Sequence, residues 1–189
     1  MHKTSIITIA GKPGSGKSST SKGVAVKLRY RHFSSGDLFR SIAAERGLDV
    51  KSANQQAEKE SSIDDLVDQR LQEIGRTDSD IVIDSRTAWH WMPNSFKVYL
   101  DLDLSVAAKR IIMASDERQA ANEYIPEDHE EYVEELQQRL DSEARRYESL
   151  YGINPYNTSN YDLVIDTAKY PIDEVVDKIV DAYKTWLAQ

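Results

Sequence analysis

The 189 residues contain no cysteine, which excludes disulfides and thiolate metal sites. Basic residues are in the minority: 24 lysines and arginines against 32 aspartates and glutamates leave a net charge of −8 and a pI near 5.1. That balance gives no broad basic face for a phosphodiester backbone, so a nucleic-acid partner is not expected. Long apolar runs are missing too, and no stretch approaches the ~20 residues that cross a bilayer. No signal-like segment precedes the first strand pattern. The expectation is a cytoplasmic protein with no membrane partner, acting as a monomer. His2, His32, His90 and His129 are scattered without a metal-ligand spacing. An Asn-Lys-x-Asp guanine-recognition motif is absent, as are internal repeats. The length suits one well-cored domain over residues 1–189.

Glycine is also scarce, yet three of the eight fall within residues 11–16. Gly11-Lys12-Pro13-Gly14-Ser15-Gly16-Lys17-Ser18 fits the phosphate-loop pattern G-x-x-x-x-G-K-[S/T]. The apolar, β-branched run Ser5-Ile6-Ile7-Thr8-Ile9-Ala10 precedes it and reads as a buried strand. Residues 18–28 follow as a helix pattern without proline. Strand, glycine turn and helix are the context the motif needs. Backbone N–H groups of such a loop point inward at phosphate oxygens, beside the positive end of the helix. Gly11, Gly14, Ser15, Gly16, Lys17, Ser18 and Ser19 are the ATP-binding candidates. Lys17 is placed to reach the β- and γ-phosphates, and the Ser18 hydroxyl to hold Mg²⁺.

Buried strands are predicted at residues 6–10, 31–34, 81–84, 96–100 and 163–166, separated by helical patterns. That alternation is the signature of a parallel α/β sheet, with ligands at the strand C-termini. Residues 35–79 form a long helical crossover, read as an insertion. Within it Ile63, Leu66, Val67, Leu71 and Ile74 fall near helical spacing, with Gly75 as the expected C-cap. Residues 106–113 read as a helix and residues 114–126 lose periodicity. A charged helix over 127–151 carries the stripe Tyr132, Leu136, Leu140, Tyr147 and Leu150. A last helix is predicted over 171–187, with Pro171 at its first position.

The polar residues that follow each strand form a second group of candidates. Asp84 ends an apolar strand opposite the phosphate loop, where a Mg²⁺-organising carboxylate sits; the plainer alternative is a helix cap. Arg86 follows on the same edge. In Ser34-Ser35-Gly36-Asp37-Leu38-Phe39-Arg40, Ser35 or Asp37 is expected to cap a helix from which Arg40 emerges. Arg40 and Arg86 together would fork a second, separate phosphate. Arg110, Arg118, Arg139, Arg145 and Arg146 are a third group. Arg139 and Arg146 share a helix face and are candidates for charge stabilisation in phosphoryl transfer, against the alternative of ordinary surface pairing with nearby glutamates.

These motifs resemble the nucleoside monophosphate kinases, and within them the compact cytidylate-kinase-like branch. The resemblance runs from the phosphate loop through Ser35-Gly36-Asp37-Leu38-Phe39-Arg40 and Asp84-Ser85-Arg86 with Ala88-Trp89. It continues through Arg145-Arg146-Tyr147 and Tyr151-Gly152-Ile153 to Tyr161-Asp162-Leu163-Val164-Ile165-Asp166-Thr167. Lys17 and Ser18 depart from it, standing where that branch often carries threonines. The implied fold is an α/β P-loop NTPase: a five-stranded parallel sheet sandwiched by helices, with a helical acceptor-binding insertion (35–79) and a small lid (114–127). The implied activity is transfer of the γ-phosphoryl of Mg·ATP to a nucleoside monophosphate, CMP or dCMP first. Ser35, Asp37, Arg40 and Arg86 would bind the acceptor, and Ser18 and Asp84 the Mg²⁺. Lys17, Arg118, Arg139 and Arg146 would act in catalysis, and Arg110 near the adenine of ATP. Two other readings stay open from sequence: a P-loop kinase for another nucleotide or small metabolite, and a nucleotide-hydrolysing switch module.

Overall fold

The computed structural model describes residues 3–48, 52–53, 56, 62–114, 126 and 128–189. Its centre is a parallel sheet of β1 (Ile6–Gly11), β2 (Arg31–Ser34), β3 (Ile81–Asp84), β4 (Phe96–Asp101) and β5 (Leu163–Asp166). The strands lie in the order β2-β3-β1-β4-β5. All six residues of β1 are buried, because the central strand has helices over both faces, as parallel sheets require. Register pairs Ile9 with Asp84 and Ser34 with Asp84, so the ends of β1, β2 and β3 line up at one edge. The expected strands are found, with β1 and β4 each one residue longer.

The helices among the described residues are α1 (Lys17–Leu28), α2 (Ser35–Glu45), α3 (Ser62–Thr77), α4 (Ala88–Trp91), α5 (Leu104–Met113), α6 (His129–Tyr151) and α7 (Ile172–Ala188). On one sheet face Ile7, Ile9, Val98 and Leu100 pack with Val24 of α1 and Val175, Ile179 and Tyr183 of α7. On the other, Ile6, Ile81 and Ile83 pack with Leu71 and Ile74 of α3 and with Met92. Ala107 and Ile111 of α5 meet Tyr132 and Leu136 of α6 in a smaller cluster.

Local chemistry sets the boundaries. Asp103 accepts from the backbone N–H groups of Ser105 (2.9 Å) and Val106 (3.3 Å) and starts α5. Asp128 accepts from Glu131 N–H at 2.8 Å and starts α6. Gly152, at φ +67°, ends it. Four expectations are corrected. Ser34, not Ser35 or Asp37, caps α2, accepting from Asp37 N–H. Pro171 occupies the position before the first turn of α7. Gly75 lies inside α3 rather than ending it: a Cβ there would stand 3.0 Å from Met92 Cγ, so close helix packing explains the glycine. Leu66 and Leu150, assigned to apolar stripes, are exposed. The buried side of α3 carries Asp64 and Asp68 alongside Ile63, Val67, Leu71 and Ile74.

Candidate functional site

The loop after β1 turns where a side chain would not fit. Gly11 has φ +150°, and a Cβ on it would lie 2.2 Å from Leu100 O. Gly16, in the left-handed region, caps α1, whose first-turn N–H groups and positive dipole end face the strand edge. Ser15 Oγ donates to Lys12 O (2.8 Å), and Lys17 Nζ donates to the same carbonyl (3.0 Å). Lys12 itself pairs with Asp101 at the end of β4, at 2.8 Å. This loop opens on a cleft of about 190 Å³ lined by Pro13, Gly14, Gly16, Lys17, Ser18, Ser19, Ser34, Ser35, Gly36, Arg40, Asp84, Ser85, Arg86 and Arg139.

Opposite the loop, Asp84 Oδ2 accepts from Ser18 Oγ at 2.6 Å. Ser35 Oγ donates to Asp84 O at 3.3 Å. Asp84 is not a helix cap: Thr87 holds the cap position of α4, and Ser85 Oγ accepts from Thr87 and Ala88 N–H just before it. A hydroxyl and a carboxylate side by side form an oxygen donor set suited to a hard divalent cation. Among the described residues no group of three or more acidic or histidine side chains could cage a metal alone. Ser18 and Asp84 thus fit an ion that arrives on a nucleotide's phosphates and keeps most of its other ligands from there and from water.

Two arginines at the cleft are set by one buried carboxylate. Glu143 on α6 is 3% exposed. Its Oε2 lies 2.6 Å from Arg86 Nε and its Oε1 3.2 Å from Arg139 Nε. Tyr156 OH donates to it as well. The Arg86 contact is a close charge pair rather than an aligned hydrogen bond, since the Arg86 N–H points off the line to the oxygen. Burial alone would raise Glu143, but Arg86 and Arg139, with the Tyr156 hydrogen bond, outweigh it and hold the carboxyl at about 2. The same pairing keeps Arg86 charged against the cost of its burial. Lys17 goes the other way. Part of its surface opens to the cleft, yet the surrounding protein desolvates it, and Arg86 adds repulsion, so it falls to about 7 despite Asp84 and Glu143.

Of the residues singled out from sequence, Gly14, Gly16, Lys17, Ser18, Ser19, Ser35, Arg40, Asp84, Arg86 and Arg139 meet in this cleft. Gly11 and Ser15 shape the loop from behind. Asp37 pairs with Arg40 at the rim. Arg110 lies apart, its Nη2 donating to Thr167 O (2.9 Å) and its Nη1 to Thr167 Oγ1 (3.4 Å) beyond β5. Arg145 is exposed. Arg146, expected beside Arg139 at the transferred phosphate, is instead turned to Asp64 of α3, 3.2 Å away. Seven residues along an α-helix is close to two turns but not a common contact, and here different partners claim the two side chains. Arg118 lies outside the described residues, as does most of the proposed lid.

Comparison with known proteins agrees with this geometry. The sequence profile of the "Cytidylate kinase-like family" matches residues 6–169. The chain belongs to that family. It is 37% identical over 187 residues to the cytidylate kinase of Halobacterium salinarum, covering 97% of this chain and 92% of that one. With the cytidylate kinase of Methanothrix thermoacetophila it shares 40% over 165 residues, covering 87% and 90%. Solved structures support the P-loop kinase fold. A shikimate kinase from Bacteroides thetaiotaomicron superimposes with TM-score 0.61 at 15% identity, over 97% of this chain and 98% of that one. A gluconokinase from Sinorhizobium meliloti 1021 gives 0.57 at 15%, over 98% and 95%.

Within this cytidylate kinase-like fold, sequence reasoning missed Glu143, Tyr156, Asp64 and Asp68. Glu143 was legible as the partner of Arg139 four residues earlier, but that spacing is equally that of a solvated pair. Asp64 and Asp68 were legible only as charges interrupting an apolar helix face.

Proposed function

We propose that the chain transfers the γ-phosphoryl group of ATP to the 5′-phosphate of CMP or dCMP, giving ADP and the cytidine diphosphate. One observation carries the reading. A phosphate loop and a separate guanidinium set, Arg40, Arg86 and Arg139, line a single cleft, as two phosphates in line require. Family membership and the relatives' acceptor favour cytidine. The loop N–H groups and Lys17 hold the β- and γ-phosphates of ATP. Arg40 and Arg86, with Ser35, hold the acceptor. An anionic oxygen of the acceptor phosphate attacks the γ-phosphorus, and the bond to the β–γ bridging oxygen breaks, so ADP leaves with that oxygen. The nucleophile is already anionic, and positioning with charge neutralisation does the remaining work. Lys17 and Arg139 stand where charge spreads over the equatorial oxygens. Ser18 and Asp84 would hold Mg²⁺, which would neutralise the β- and γ-phosphates when bound. Arg110 with Thr167 supports the adenine end, and the protein works as a cytoplasmic monomer.

The test is a coupled ADP-release assay with Mg·ATP against CMP, dCMP, UMP, AMP, GMP and no acceptor. Turnover that depends on CMP or dCMP is the expected result. ADP release indifferent to every acceptor would refute the reading. Arg40→Ala and Arg86→Ala should each raise the acceptor KM about tenfold or more while the ATP KM moves little.

A further inference from the structure

The chain leaves α6 at Gly152 and runs through residues 153–162 to reach β5. Those residues close on themselves. Tyr156 N–H donates to Asn154 Oδ1 (2.9 Å) and Asn160 Nδ2 to Asn154 O (3.3 Å). Asn157 Oδ1 accepts from Ser159 N–H (3.1 Å) and starts a short 3₁₀ turn over Thr158–Asn160. Asparagine side chains thus supply the backbone partners that a helix or strand would otherwise give. Asp162 anchors the loop to the sheet, its Oδ2 accepting from Lys97 N–H at 2.8 Å, and Pro155 is buried. Two tyrosines of this arm act on Arg86 from different sides. Tyr156 OH donates to Glu143 Oε2, the oxygen that lies 2.6 Å from Arg86 Nε, while Oε1 accepts from Arg139 Nε at 3.2 Å. Burial and the Glu143 charge push the Tyr156 hydroxyl well above its ordinary value, so it remains a donor at working pH. Tyr161 OH donates to Pro155 O (2.6 Å), and its ring packs edge-on against Trp89 with centroids 5.7 Å apart. Trp89 Nε1 in turn donates to Arg86 O at 2.9 Å. The arm therefore bears on the guanidinium through Glu143 and on the backbone through Trp89.

We propose that Tyr156 is a positioning residue for phosphoryl transfer, locking the Glu143 carboxylate so that Arg86 and Arg139 are presented to the cleft together, with Tyr161 steadying the backbone at Arg86; the inference rests on the kinase reading above. A glutamate carboxylate turns easily about its last bond. Three donors on two oxygens fix that angle. Without the phenol hydroxyl, Oε2 answers to Arg86 alone, and the guanidinium can settle more closely on the carboxylate and away from the cleft. Tyr156 stands behind Glu143, outside the residues that line the cleft, so its effect has to pass through the two arginines. Arg86 grips the acceptor phosphate, and its displacement shows in the acceptor KM. Arg139 stands where charge develops, and its displacement shows in kcat. ATP is held by the loop after β1 and by Lys17, which the arm does not touch.

The experiment is steady-state kinetics with CMP and ATP varied in turn, on the unchanged protein, Tyr156→Phe, Arg86→Ala and the double variant. Phenylalanine keeps the ring, and a KM does not depend on how much of the protein is folded. Tyr156→Phe should raise the CMP KM about fivefold to tenfold and lower kcat about threefold or more, with the ATP KM within about twofold of the unchanged protein. Where Arg86 is already alanine, the same change should raise the CMP KM by no more than about twofold, because the group it positions is gone. A tie that merely holds the fold together would move both substrates, and would act equally with or without Arg86. Tyr161→Phe releases Pro155 O and should raise the CMP KM about threefold, which keeps the test open if Tyr156→Phe does not fold. The inference is overturned if the CMP KM is unchanged in the single variants, if the ATP KM rises in step with it, or if the full effect of Tyr156→Phe persists beside Arg86→Ala. Absence of CMP-dependent turnover in the unchanged protein would instead overturn the proposed function itself.

Discussion

Glu143→Gln should destabilise the protein by about 3 kcal/mol at neutral pH, a loss that should vanish in acid. The side chain of Glu143 is 4% exposed, so solvent does little to screen its interactions. Its carboxyl is held at about 2 against an ordinary value of 4.5. At ~1.4 kcal/mol per pH unit, that depression corresponds to ~3 kcal/mol of preference of the folded state for the anion. A second route gives a similar figure, since removing one partner of a buried ion pair costs ~3–5 kcal/mol. Glutamine keeps the volume and still accepts from Tyr156, which puts the variant at the lower end. The sign follows from the direction. A carboxyl with a depressed folded value stabilises fully above its unfolded value, near 4.5, and loses that contribution as pH falls toward 2. Urea titrations of the unchanged protein and the variant, at pH 7 and in steps down to the lowest pH at which both remain folded, supply the difference curve. Equal slopes on urea would show that the unfolded ensembles are comparable. The reasoning fails if the two proteins differ by less than about 1 kcal/mol at pH 7. It fails equally if their difference does not shrink as the pH drops below 4.5.

Two further outcomes follow from the phosphate loop. Because Lys17 lies at about 7 in the free protein, and phosphate oxygens favour its ammonium form, ATP binding at pH 8 should take up close to one proton. Below pH 6 the free lysine is already charged and uptake should fall toward zero; calorimetry in buffers of different ionisation enthalpy measures both. Lys17→Arg, which stays charged throughout, should abolish the uptake, and an unchanged uptake would exclude Lys17 as its source. Gly11→Ala should force β1 and β4 apart, since its Cβ would fall 2.2 Å from Leu100 O at φ +150°. A loss of more than about 4 kcal/mol, or no folded protein at all, is expected in thermal melts, and a melting temperature within a few degrees of the unchanged protein would contradict the geometry.

The strand–loop–helix phosphate site was legible in the sequence because everything that makes it lies within residues 6–28, and local chain geometry fixes where Gly16, Lys17 and Ser18 point. The five strands were legible for a related reason: a strand buried on both faces must be apolar throughout, and Ile6 to Ala10 or Ile81 to Ile83 fit little else. Asp84, Arg40 and Arg86 could be placed at one edge because parallel crossovers bring all strand C-termini together. What the sequence left undecided was which way each charged side chain of a long helix would turn. Arg139 and Arg146 look equivalent along α6, yet Arg139 reaches the cleft and Arg146 the insertion helix. Asp64 and Asp68 look like surface charges until α3 is docked with that side inward. Their partners, Arg146 and Tyr151, lie more than eighty residues away, and Arg86 and Glu143 are 57 apart. Periodicity and capping are settled within a turn or two of chain, whereas the environment of a buried charge depends on distant groups that only the packed tertiary structure brings to it.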